Sequence, residues 1–227
     1  MKDRLENIRE RIKIAAVGCG RNPETIRFVA VSKTVSVERV RRAIEAGVTI
    51  LGENYIQEAQ EKIRILSSYP VSWHFIGHLQ TNKAKYVVRL FDLIHSVDSL
   101  RLAQEINKQA GKLNKVQKIL IQVNIGEENS KSGVYLKDAE RLIREISHLQ
   151  NLSVRGLMAV PPYYSDPEKV RTYFAAIREL RDQIKKENIT NISMDELSMG
   201  MTGDFEVAIE EGSTLIRIGT AIFGKRN

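Results

Sequence analysis

Eight short runs of apolar, β-favouring residues recur along the chain, and a stretch with helical spacing separates each from the next. The runs are 28–33, 49–52, 73–77, 93–97, 118–125, 152–160, 192–199 and 214–218. Between them lie stripes such as Val37, Val40 and Ile44, or Ala139, Leu142, Ile143 and Ile146, which gather apolar side chains on one helix face. Strands alternating with helices fold into a parallel sheet. Eight such units in 227 residues predict a closed (β/α)8 TIM barrel, a single α/β domain over residues 1–227. An open, doubly wound sheet would need fewer strands and a switch point. After the eighth strand only Ala221–Gly224 reads as structured, too short for a covering helix. The amphipathic stretch 1–17, with Leu5, Ile8 and Ile12 on one stripe, is expected to take that place.

In such barrels the working residues sit at the C-terminal ends of strands. Lys33 ends the first run, and strand parity puts Val29, Val31 and Lys33 on one face. Burial of an amine lowers its pKa and frees it as a nucleophile toward an aldehyde. The alternative is a lysine whose amine simply reaches water. The turns after strands seven and eight, Ser198-Met199-Gly200-Met201-Thr202-Gly203-Asp204 and Gly219-Thr220-Ala221, combine glycines with hydroxyls. That composition suits an anion cradle, and equally an ordinary strand-to-helix turn. Parity also sends Arg217 inward with Leu215, while Ile216 and Ile218 face the helices. An inward guanidinium needs an acceptor, either a carboxylate such as Glu196 or a ring nitrogen of a cofactor. Amine, cradle and arginine match the aldehyde, phosphate and pyridine nitrogen of pyridoxal 5′-phosphate (PLP).

The net charge of +7 raises the question of a nucleic-acid partner. Basic and acidic residues are interleaved, as in residues 4–11, with no basic run or aromatic-basic signature, so none is expected. No stretch reaches the roughly 20 apolar residues of a membrane span. Cys19 is the only cysteine, which precludes an internal disulfide and fits a cytoplasmic protein. Lys83 and Lys85 read as a solvated helix face. His74 and His78 lie on a strand and its loop with no nearby carboxylate, so no metal site is expected.

Five segments together, Val29–Lys33, Gly52-Glu53-Asn54, His74–Lys83, Leu197–Met201 and Arg217–Gly224, resemble the signatures of the YggS/PROSC family of pyridoxal phosphate homeostasis proteins. That family is similar to the barrel domain of alanine racemases, and the resemblance covers essentially the whole chain. It implies that Lys33 carries PLP as a Schiff base, that Arg217 faces the pyridine nitrogen, and that Ser198, Gly219 and Thr220 hold the phosphate. Met199 and Gly200 belong to the same cradle. Thr202 stands where many members have serine and keeps the hydroxyl. Asn54 and His74 either line the ring or are satisfied core polar groups. The resemblance also implies a non-catalytic PLP carrier, a monomer with no C-terminal β-domain, meeting apo-PLP enzymes only transiently. An arginine at the pyridine nitrogen disfavours its protonation and weakens the ring as an electron sink. The alternatives are a weak PLP-dependent racemase or lyase and, more remotely, an aldolase or a nucleic-acid binder.

Overall fold

The computed structural model describes residues 1–128 and 130–224. Residues 129 and 225–227 of the expected 1–227 domain lie outside it. The chain opens with helix α1 (Lys2–Gly18), followed by β1 (Arg27–Val31), α2 (Val37–Glu45), β2 (Ile50–Glu53), α3 (Ile56–Ile65), β3 (Ser72–Phe75), α4 (Ala84–Leu90) and β4 (Leu93–Val97). Then come α5 (Leu100–Gly111), β5 (Gln117–Asn124), β6 (Val134–Tyr135), α6 (Leu136–Ser147), β7 (Leu152–Ala159), α7 (Arg171–Lys186), β8 (Ile192–Ser198), α8 (Phe205–Glu210), β9 (Leu215–Ile218) and α9 (Thr220–Phe223).

All pairings are parallel, and β4–β5 closes the ring β1-β2-β3-β4-β5-β7-β8-β9. The eight expected strands are these eight. The two-residue β6 was not foreseen. It pairs with Val123 and Asn124 where β5 runs past the end of β4, too short to leave a periodicity signal. A 3-10 turn, Thr81–Lys83, leads directly into α4.

Parity sorts the core into two layers. Val29, Ile50, Leu93, Leu120, Met158 and Leu215 fill the barrel interior. Ala30, Leu51, Ile94, Ile119, Leu157, Ile216 and Ile218 face outward and join the apolar stripes of the helices. Burying a Val, Leu or Ile side chain contributes about 1.5–3 kcal/mol each, so both layers resist a register slip. Leu5, Ile8, Ile12, Ala15 and Ala16 of α1 are buried, and α1 packs on α8 and α9. Arg4 Nη1 donates to the Ile222 carbonyl at 3.2 Å. The N-terminal helix thus covers the side of the barrel that the four-residue α9 leaves open. Among the described residues no helix is long and apolar enough to cross a membrane.

Candidate functional site

Lys33 lies two residues past β1, not on it. The strand ends at Val31 because the next residues turn: the Val35 amide donates to the Ser32 carbonyl at 3.0 Å. Lys33 and Thr34 are therefore the central residues of a β-turn, and Thr34 has φ +61°. That position ordinarily goes to Gly or Asn, and a β-branched residue there costs about 1–3 kcal/mol. Lys33 is half-buried on the C-terminal rim of the barrel.

Arg217 points inward, as parity requires, and is buried. Its acceptors are not Glu196. Nη1 donates to the Ser198 carbonyl at 2.6 Å and to Ser198 Oγ at 2.7 Å, and Nη2 donates to the Ala159 carbonyl at 2.8 Å. Glu196 accepts instead from Arg27 and from Thr214 Oγ1, at the opposite end of the barrel. Charge-assisted bonds to two main-chain carbonyls offset part of the desolvation of the guanidinium. Burial lowers its pKa to about 10, opposed by the Asp204 carboxylate, so it stays charged at neutral pH.

The arginine is one end of a buried relay. Ser198 Oγ lies 2.9 Å from His95 Nδ1, and His95 Nε2 lies 3.0 Å from His74 Nδ1. Burial pushes His74 down to about 4, and burial together with the nearby His74 and Arg217 charges pushes His95 well below the usual imidazole range. Both rings are neutral at pH 7. Arg217 only donates, so Ser198 Oγ accepts from it. The serine then either donates to His95 or accepts a second bond from it, and either pattern pairs both nitrogens of His95 and Nδ1 of His74. His74 Nδ1 is thus partnered inside the barrel by His95.

The rim beside Lys33 comes from β9 and β8. The β1–β9 register pairs Val29 with Arg217 and Ala30 with Ile218, which sets Gly219 beside Val31. Thr220 follows, and its Oγ1 lies 3.3 Å from Thr202 Oγ1 on the β8–α8 loop. That loop closes on itself through the Met201 amide to Asp204 Oδ1 at 2.6 Å. Gly200 makes the turn possible: its φ is +88°, and a Cβ there would sit 2.5 Å from Ala208 Cβ. Two expected cradle residues face elsewhere. Ser198 Oγ is committed to Arg217 and His95, and Met199 is packed in the outer core with its amide bonded to the Leu215 carbonyl at 3.2 Å. Thr202 and Thr220 supply hydroxyls at this part of the rim.

Asn54 follows β2 on the same rim. Gly77 brings the β3–α4 loop against its backbone, where a Cβ would lie 2.5 Å from the Asn54 carbonyl oxygen. Asn54 Oδ1 is buried without a hydrogen-bond partner among the described residues. Asn54 also lines a cavity of about 600 Å³ with Tyr55, Phe75, His78, Gln80 and Tyr86. His78 Nδ1 is 2.9 Å from Ser132 Oγ.

The family profile described as "Alanine racemase, N-terminal domain" matches residues 4–227. A pyridoxal phosphate homeostasis protein of Aquifex aeolicus is 46% identical over 99% of this chain and 97% of its own length. That of Escherichia coli is 42% identical over 98% and 95%. The chain belongs to the pyridoxal phosphate homeostasis protein family. Among solved structures, PipY of Synechococcus elongatus with PLP bound superposes with a TM-score of 0.82 at 34% identity, over 96% of this chain and all of that one. Within this family fold, sequence reasoning missed His95 as part of the site. The signal was present, since parity places His95 on the face of β4 that Leu93 turns inward; the register shift between Ile94 and Val97 then returns Val97 to the outer core.

Proposed function

We propose that this chain is a cytoplasmic carrier or buffer of PLP, a single-domain protein that holds the cofactor reversibly and covalently on Lys33 and turns over no substrate itself. The observation that carries this reading is adjacency. The Lys33 turn after β1, Gly219-Thr220 after β9 and Thr202 after β8 follow three neighbouring strands of one rim. The Lys33 turn thus stands on the same part of the rim as a hydroxyl-bearing loop pair suited to a phosphate, with Arg217 in the barrel beneath. Asn54 Oδ1, buried with no partner among the described residues, is a further polar group on that side. The names of the relatives and the PLP-bound PipY support the same cofactor.

When bound, PLP supplies an aldehyde that amines attack, and a ring that withdraws electrons when its nitrogen is protonated. Lys33 is the nucleophile. Arg217 donates and does not give up its proton at neutral pH, so it disfavours a protonated ring and favours holding over turnover. Recipients are apo-enzymes met by transient contact. The test is titration of the purified protein with PLP: wild type develops the visible band of a protonated imine, and Lys33→Ala does not. An undiminished band in Lys33→Ala would sink the assignment.

A further inference from the structure

The turn that displays Lys33 is gripped from behind by a buried ionic cluster. Lys62 of α3 is 3% exposed, and its ammonium donates to three oxygens: the Ser32 carbonyl at 2.6 Å, Glu53 Oε1 at 2.8 Å and Glu58 Oε1 at 2.6 Å. Ser32 Oγ donates to the same Glu53 oxygen at 2.7 Å, and the Ser32 amide donates to the Gly52 carbonyl at 3.0 Å. On the far side of Lys33, the Thr34 amide donates to Glu58 Oε1 at 2.6 Å. Both residues flanking Lys33 are therefore tied to one ammonium, Ser32 directly and Thr34 through Glu58.

A lysine this deep has all three N–H donors matched, the arrangement that makes such burial tolerable. Its attachments converge on a turn that the sequence does not favour, because Thr34 occupies a left-handed position without being Gly or Asn.

We propose that Lys62 and Glu58 are positioning residues for Lys33, holding the Ser32–Val35 turn in the strained form that aims the lysine across the barrel rim. The proposal rests on the reading of Lys33 as the nucleophile, and its test separates the two. Glu58→Ala is the primary variant, since it leaves Lys62 paired with Glu53 and strands no buried charge. Lys62→Met is the second. Two measurements are made on each: amide hydrogen exchange of residues 32–36 without ligand, and the rate at which PLP and cyanoborohydride label Lys33. Glu58→Ala is expected to speed exchange at the Thr34 amide and slow labelling about tenfold, as a displaced reacting group does. Adding Thr34→Gly, which adopts the turn without help, is expected to restore the labelling rate; a general loss of stability would not be repaired this way.

Wild-type exchange and labelling in Glu58→Ala would overturn the proposal. So would slowed labelling that Thr34→Gly leaves unrepaired. If wild type itself takes no label, the reading of Lys33 fails, and the exchange arm still decides whether the cluster holds the turn.

Discussion

Acid should destabilise this barrel through its buried imidazoles, and His74→Gln should isolate one of them. His74 keeps its proton off in the folded state until the pH falls to about 4, whereas an unfolded histidine takes one near 6.5. Between those values the unfolded chain binds more protons, so folding stability falls as the pH falls. The gap, at about 1.4 kcal/mol per pH unit, removes about 3 kcal/mol between pH 7 and pH 4. That is a large share of the roughly 5–15 kcal/mol that holds a typical domain together. His95 acts with the same sign. Glu53 and Asp204 act the other way, because burial raises their pKa values and their protonation on acidification favours the folded state. The difference between wild type and variant cancels those carboxylates. Glutamine keeps a polar partner for His95 and does not titrate. Urea unfolding followed by circular dichroism at pH 7, 6, 5 and 4 should show the gap between the two proteins shifting by about 3 kcal/mol in the variant's favour. Parallel loss of stability in both would mean that His74 protonates inside the barrel near its ordinary pKa, and the dry relay would be wrong.

Ser198→Ala should destabilise by about 1–3 kcal/mol, because it strands an imidazole nitrogen and a guanidinium donor, measurable as a lower urea midpoint. Its affinity for inorganic phosphate should stay near wild type, whereas Thr202→Val with Thr220→Val should weaken phosphate binding about tenfold, read by calorimetry. Gly200→Ala should lower stability by about 2–4 kcal/mol through the left-handed φ and the overlap with Ala208, and Ala208→Gly should recover only the overlap.

Much of the fold is legible in the sequence because two periods carry it. Inner-layer residues such as Val29 and Leu215, and outer-layer residues such as Ile216 and Ile218, alternate strictly, and parity alone turns Arg217 inward. The same rule applied to β4 points to His95. What is not legible depends on partners far along the chain. The turn at Lys33 is fixed by Lys62 and Glu58, which as a sequence pattern read only as an (i, i+4) pair on an ordinary helix. Two of the three acceptors of Arg217 are main-chain carbonyls, those of Ser198 and Ala159, invisible to any argument about side-chain types. Ser198 read as a cradle hydroxyl because it opens a glycine-rich loop. Its position as the last residue of β8, on the inward face, directs it to the relay instead.

The chain carries 16 lysines, so an aldehyde has many amines to find. The most direct test of the account is therefore where the aldehyde goes. The protein is incubated with one equivalent of PLP, reduced with borohydride, digested and mapped by mass spectrometry. One dominant modified site, Lys33, is expected. A label spread over exposed lysines, or concentrated on another residue, would contradict it.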